Sequence, residues 1–468
     1  MVISVPGTAL VAPEVPAVSF SGEHRARFES LDPPQYRPGF PPSDQSLSLR
    51  TGLRLDAAWP RAQLVLELVD SRAEQTVNDA PRSTSLVNTL EFIQAAVSWG
   101  ITPAAADYES RITAALLTKN LGMRRLIARS RFRNTANAFA GVDWDWQSVA
   151  GQRINAFYLH PMRRLPDDDN GLSRNRHKPD DISRDTVLAG IYWQIPLQFD
   201  ATIAELLVLR SDGPDTRSPG TSRHDLETVS VRVTRAAIPR QWDFEAEAIT
   251  QRGWSSADDD SRMLRHRAQF LHLEAGYTFG SACGLRLAVQ YDNASGDRNR
   301  FDDRAERFDT LYGARSFELG PSAIYGPFVR GNLKALGLRL TLRPYERMSM
   351  AVAYRGNWLA SAADAWAAAG FRDEAGRSGD AIGRQLQASV NWAAIPSRLM
   401  LDFGITHLRY GQFPRTAPSA TARSRSTYTY TAITLRFGDY RIAEASIVSR
   451  LEIQSRQCDR ERQPKYDL

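Results

Sequence analysis

The sequence predicts an all-β chain: a single transmembrane antiparallel β-barrel of about 18 strands, with short periplasmic turns and long extracellular loops. Three observations carry that expectation. Apolar and polar residues alternate with period two along most of the chain, the alternating segments are long enough for tilted membrane strands, and their connections are short and long in turn. The 468 residues carry 59 Lys+Arg against 53 Asp+Glu, a formal charge of +6, with 42% hydrophobic and 24% charged residues. This is too apolar for a disordered chain. No uncharged apolar run reaches 18 residues, which excludes a bundle of membrane helices. It does not exclude a barrel, whose membrane face is hidden in alternation.

Alternation places strands near 20–30, 46–59, 61–71, 89–99, 109–119, 137–147, 151–161, 184–195 and 198–211. It continues near 223–237, 240–252, 266–280, 283–295, 333–343, 347–359, 383–395, 398–410 and 427–437. In the second segment Leu47, Leu49, Leu53 and Leu55 share one face, and Arg50, Arg54 and Asp56 share the other. In the eleventh, Phe244, Ala246 and Ala248 alternate with Asp243, Glu245 and Glu247. The fourteenth sets Leu336, Leu338, Leu340 and Leu342 against Arg339 and Arg343. A strand sorts such residues onto two faces, whereas a helix would mix them.

Short turns fall at 59–61, 147–151, 195–197, 238–240, 343–346 and 395–397, five of them containing proline. Long polar connections fall at 72–88, 120–136, 162–183, 296–332, 360–382 and 411–426. An even strand number brings both ends to the turn side, and no four-strand period of a propeller is present. Trp59, Trp99, Trp144, Trp146, Tyr277, Phe279, Tyr345, Trp392 and Phe437 sit at strand ends on the apolar parity, as interfacial girdles require.

Parity directs Arg25, Arg27, Arg50, Arg54, Arg232, Arg286, Arg339, Arg343, Arg355 and Arg436 inward. Glu23, Glu29, Asp56, Glu67, Asp243, Glu245, Glu247, Glu274, Asp292 and Asp402 share that face, as do Asp143 and Asp145. Individual pairs of this kind stiffen a barrel wall by bridging neighbouring strands. As a set, fixed cations in a narrow conduit attract and pass anions.

Catalytic patterns are absent. The seven histidines are widely spaced, and His266 and His272, on one strand face, are separated by roughly 20 Å of extended chain. Cys283 and Cys458 give neither a disulfide framework nor zinc spacing. Asp167 to Asp169 and Asp258 to Asp260 read as solvated loop acids, as do Asp297, Asp302 and Asp303, since no complete calcium loop ending in Glu is present. No enzyme activity, cofactor or resident metal is expected, and no basic block suggests nucleic acid as a partner.

Three regions follow. Residues 1–18 lack the charged and apolar order of a secretory signal, 19–437 form the barrel, and 438–468 are expected to be a polar, disordered periplasmic extension behind the terminal aromatic Phe437. The two ends suggest a reading frame whose start is missing or altered.

The barrel so read resembles the alginate export family of outer-membrane channels. The resemblance rests on Ser21 to Glu29, on Phe132 to Val142, and on Tyr291 to Asp297 followed by Phe308 to Tyr312. It continues through Arg330 to Leu333, Leu342 to Pro344, Tyr410 to Phe413 and Leu435 to Phe437, all in order. It implies an 18-stranded barrel in a Gram-negative outer membrane that passively passes an anionic uronate polysaccharide through a constriction rich in Arg and Lys. Outer-membrane lipid and lipopolysaccharide would surround it, and periplasmic export components are candidate partners. The chain departs from the family at Leu117 to Asn120, where relatives carry a Gly-Arg-Gln type sequence, and at Asp143, where they often carry Arg. These exchanges leave open a porin for another small substrate with a mixed-charge lumen; a small anionic solute is the other candidate partner. An outer-membrane enzyme or adhesin, and a barrel whose ends no longer support export, are the remaining alternatives.

Overall fold

The computed structural model describes residues 16–32, 43–75, 82–103, 106–199, 201–215, 223–256, 262–281, 283–321, 324–418, 420 and 424–438. Eighteen long antiparallel strands close into one barrel. They are β1 (Ala17–Asp32), β2 (Asp44–Ala58), β3 (Ala62–Gln75), β4 (Asn88–Gly100), β5 (Tyr108–Leu117) and β6 (Phe139–Ser148). Next come β7 (Arg153–Arg163), β8 (Val187–Pro196), β9 (Thr202–Pro214), β10 (Arg223–Arg235), β11 (Trp242–Ser255) and β12 (Leu264–Thr278). The last six are β13 (Arg286–Ala294), β14 (Leu333–Tyr345), β15 (Met348–Trp358), β16 (Ala381–Ile395), β17 (Leu399–Tyr410) and β18 (Arg425–Gly438). Each strand pairs with its neighbour in the chain, and β18 returns to β1 with Ser21 opposite Gly438 and Asp32 opposite Thr427.

Closure leaves no unpaired sheet edge, the condition for placing strands in hydrocarbon. The outward face is apolar: Ile191, Val208, Val231, Leu336, Leu338, Ile405 and Leu435 are exposed. The inward face is polar and buried, with Arg25, Glu67, Ser71, Asp292 and Gln385 among its members. No helix of the described residues is long and apolar enough to span a membrane; the strands do that. The strands lie within a few residues of their predicted positions, and β1 begins at Ala17, two residues before the predicted barrel start.

The interior is filled by the long connections. Short helices α1 (Asp169–Ser173), α2 (Ser316–Leu319) and α3 (Phe413–Thr416) lie in them. The largest apolar cluster joins Leu126 and Ile127 of the β5–β6 connection to Leu311 and Tyr312 of the β13–β14 connection, packed on Phe139, Phe157, Ile249 and Phe270 of the wall. The loop acids are structural where described: Asp168 accepts the Gly171 amide at 2.8 Å to cap α1, and Asp167 pairs with Arg163 at 2.5 Å. The Asp258 to Asp260 cluster, Cys458, residues 1–15 and residues 439–468 lie outside the described residues.

Candidate functional site

Two connections cross the lumen together. Residues 118–138 lie against the β1–β3 wall at one end. Arg25 donates to the carbonyls of Arg131 and Arg133 at 3.0 Å each and to Asn134 Oδ1 at 3.1 Å. Arg50 donates to the same two carbonyls at 3.1 and 3.3 Å, and Arg27 to the carbonyl of Phe132. Asn134 Nδ2 in turn faces the carbonyls of Leu49, Arg72 and Leu86. Residues 295–321 and 324–332 follow the first connection across, joined to it by the Ile127–Tyr312 bridge and by the Ala314 amide donating to the Arg124 carbonyl at 2.8 Å.

Between these connections and the wall of β16, β17, β18, β1 and β2 lies a cavity of about 370 Å³. Arg25, Arg27, Arg50, Arg124, Arg131 and Arg436 line it, against the carboxylates of Glu23 and Asp402, so its lining carries a clear excess of positive charge even with Glu29 behind Arg27. Asn120, Ser130, Ser316, Asn391 and Thr434 add uncharged polar groups, and Phe132, Phe317 and Tyr430 add rings. Arg27 is held to Glu29 at 3.0 Å and Arg50 to Glu23 at 2.6 Å. Arg25 and Arg124 have no carboxylate within ion-pair distance among the described residues, and the Arg124 guanidinium lies 5.0 Å from the centre of the Phe317 ring. Guanidinium forks of this kind bind a carboxylate through two parallel hydrogen bonds.

The opposite wall is charged but internally paired. Arg125 bridges Glu245 at 2.6 Å, Glu247 and Glu318, and Arg330 also holds Glu318. Arg232 joins Glu205 at 2.8 Å and Glu245 at 3.1 Å, and Arg286 joins Asp243 and Glu274. Burial by itself raises the Glu318 carboxyl, but the Arg125 and Arg330 guanidiniums outweigh it and hold it well below the usual carboxylate range. His272 Nδ1 meets Asp292 at 2.8 Å and its Nε2 lies 4.0 Å from Glu245, so Glu245, His272 and Glu318 could together offer three metal ligands. The Arg125 guanidinium already bridges both carboxylates of that set, making arginine their cationic partner.

The predicted inward residues therefore divide. Arg25, Arg27, Arg50, Arg436 and Glu23 line the cavity. Arg54 is paired with Asp56 at 2.7 Å and approaches Glu67, while Arg232, Arg286, Asp243, Glu245 and Glu247 belong to the paired wall. Glu29 is sealed above the cavity, accepting from Tyr428 at 2.7 Å. Arg339 and Arg355 face inward without a carboxylate partner among the described residues, Arg339 donating to the Phe317 carbonyl at 2.8 Å. Arg343 is a correction. It is exposed at the periplasmic rim, where its amide donates to the Cys283 carbonyl at 2.7 Å, because parity reports the face and not the depth. Asp143 is neutralised by Lys119 at 2.5 Å and Asp145 by Arg153 at 2.7 Å, so Lys119 offsets the change at Asp143. Arg124, Arg125 and Arg131 escaped a reading based on strand parity because they stand on a connection. The available signal was five arginines between 124 and 133, interrupted by the apolar Leu126-Ile127-Ala128.

The sequence model of the alginate export family matches residues 17–427. The chain belongs to the alginate export family. Its fold is also that of solved porins. OccK9 (OpdG) of Pseudomonas aeruginosa superposes with a TM-score of 0.56 at 11% identity, covering 90% of this chain and 98% of that one. OccAB3 of Acinetobacter baumannii gives 0.56 at 10% identity, covering 90% and 99%. Pseudomonas aeruginosa OccK2 (OpdF), solved in complex with glucuronate, gives 0.54 at 10%, covering 90% and 98%. No curated protein sequence matches the chain significantly. Family and fold make this alginate export barrel an outer-membrane channel, a non-enzymatic class of architecture.

Proposed function

We propose that this barrel passes anionic sugars, uronate oligosaccharides or polysaccharides, through the arginine-lined cavity. The supporting observation is the charge balance of that cavity, whose lining carries an excess of cations in a space crossed by loops, with no carboxylate within ion-pair distance of Arg25 or Arg124 among the described residues. An anionic carboxylate entering there gains fixed cations without displacing an existing ion pair. Passage needs several weak contacts rather than one tight site, and guanidiniums spread along a cavity supply them. The family description, alginate export, and the glucuronate held by one porin of the same fold agree in substrate chemistry.

Reconstitution in a planar bilayer under a KCl gradient tests the reading. An anion-selective reversal potential, with current blocked by added polyuronate, is the expected result. A cation-selective or unselective current would refute it. A second reading, passage of small anionic solutes, is favoured by the cavity volume of about 370 Å³, near the lower end of the roughly 300–1,000 Å³ of small-molecule pockets. Block by glucuronate alone, with no further effect of longer chains, would select it.

A further inference from the structure

Behind α2 lies a polar surface that the cavity does not use. Inward-facing residues of three neighbouring strands form it: Arg355 on β15, Gln385 and Gln387 on β16, and Thr406 on β17. Register places them in two rungs. Gln290, Gly337, Arg355 and Gln385 stand side by side, and so do Arg339, Ala353, Gln387 and Thr406. Arg355 lies flat along the first rung, its Cγ passing close to Gly337, and donates to Gln290 Oε1 at 3.1 Å. A side chain at position 337 would block that course, since its Cβ would meet Arg355 Cγ at 2.4 Å.

All four are buried, yet Arg355 Nε and Nη1, Gln385 Oε1, Gln387 Oε1 and Thr406 Oγ1 face no protein hydrogen-bond partner among the described residues. A buried wall kept for packing alone would be apolar or satisfied. This one combines amide and hydroxyl groups, which exchange hydrogen bonds with sugar hydroxyls, with guanidiniums suited to a carboxylate.

The partition between this wall and the arginine-lined cavity is α2 with its following glycine. Ser316 and Phe317 border the cavity, while Leu319 and Gly320 lie on the wall. Among the described residues the polar contacts are two: Gln385 Nε2 donates to the Leu319 carbonyl at 3.2 Å and Arg339 to the Phe317 carbonyl at 2.8 Å, beside the Leu319 side chain, which packs with Ile382 and Leu408. We propose that the inward face of β15–β17, centred on Arg355, Gln385, Gln387 and Thr406, is a second uronate-saccharide-binding surface that α2 covers at rest and uncovers when a chain of several sugars passes. The proposal rests on the reading of the barrel as an anionic-sugar channel and names where the chain beyond the first sugar units lies.

Two measurements on the full chain test it. In the triple variant Gln385→Ala, Gln387→Ala, Thr406→Ala, block by a uronate hexamer should weaken about tenfold, as expected for several lost hydrogen bonds. Block by glucuronate and chloride selectivity, which read the separate arginine cavity, should stay at wild-type values. Unchanged hexamer block in a folded variant overturns the proposal. Independently, Gln387→Cys in a Cys283→Ser, Cys458→Ser background should react slowly with a methanethiosulfonate reagent and several-fold faster with the hexamer present. No labelling, or the same rate with and without hexamer, overturns it too. The rate without saccharide reports exposure of the wall even if the cavity proves not to select anions, so the two readings fail separately.

Discussion

Arg125 is where the crossing connections are most strongly tied to the wall, and Arg125→Ala is the perturbation that reads this tie. The guanidinium is fully buried and bridges Glu245, Glu247 and Glu318. After its removal Glu318 keeps Arg330 and Glu245 keeps Arg232, but Glu247 is left with the Ser230 hydroxyl at 2.7 Å. Removing one partner from a buried ion pair costs about 3–5 kcal/mol, because the other charge stays buried without compensation. The two remaining cations place this case at the low end. A loss of about 3 kcal/mol changes the docked-to-undocked ratio by about two powers of ten. The inter-strand ladder is untouched, so the barrel should still fold and show the heat-modifiable electrophoretic mobility of a closed barrel. Single-channel recording should then show higher conductance, larger fluctuations and weaker anion preference, since Arg124 and Arg131 leave with the loop. Arg125→Lys, which keeps a charge but not the fork, should fall between. A folded Arg125→Ala barrel with wild-type conductance and selectivity would refute the reasoning. It would mean that Leu126, Ile127, Leu311 and Tyr312 dock the loops by apolar burial alone.

Three further expectations follow from the same geometry. Arg25→Ala with Arg124→Ala should shift the reversal potential toward cations, whereas Arg343→Ala, at the rim, should shift it far less. Lys119→Met should free the Asp143 carboxylate and lower anion preference, and adding Asp143→Asn should restore most of it, as a double-mutant cycle of conductance ratios would show. In the β15–β16 connection, burial by itself raises the Asp364 carboxyl, but Arg307, with backbone N–H donors of Asp297 and Ala365, holds it below its ordinary value. Because the folded value is the lower one, its stabilising contribution is complete above about pH 4 and is lost as pH falls through the folded value. Hydrogen exchange across residues 359–380 should therefore stay slow from pH 7 to about 4 and speed up only in stronger acid, while Asp364→Asn should speed it at pH 7.

What was legible in the sequence was whatever has period two. Leu336 and Leu338 announced a lipid face and Arg339 an inward one, and their register follows from turn lengths. Depth and partnership were not legible. Arg54 and Arg25 have the same parity, yet one finds Asp56 two residues along its own strand and the other finds the carbonyls of Arg131 and Arg133 and the Asn134 side chain on a loop. The loops carry no periodicity, so Arg124 could be placed only by the way Ile127 buries against Tyr312. Apolar residues in an outer connection of a barrel have nowhere to hide except its lumen, which is the physical signal that the run around Leu126 offered.

The pairing of Arg25 with Arg50 shows how the cavity keeps its charge. The two stand directly opposite each other across β1 and β2, an arrangement that alone is destabilising because like charges face. A carboxylate between them would relieve the repulsion and cancel the field. The barrel instead brings in the carbonyls of Arg131 and Arg133, each of which receives both guanidiniums. A carbonyl is a dipole, so it satisfies donors and solvates the cations without subtracting a unit of charge. Glu23 forms its ion pair with Arg50 at 2.6 Å. The inward connection thus has two consequences from one set of bonds: it narrows the lumen, and it stabilises positive charge at the narrowed point without adding a carboxylate. Replacing Asn134, whose side chain ties that segment to Arg25 and to the carbonyls of Leu49, Arg72 and Leu86, would separate the two effects by releasing the carbonyls while leaving every arginine in place.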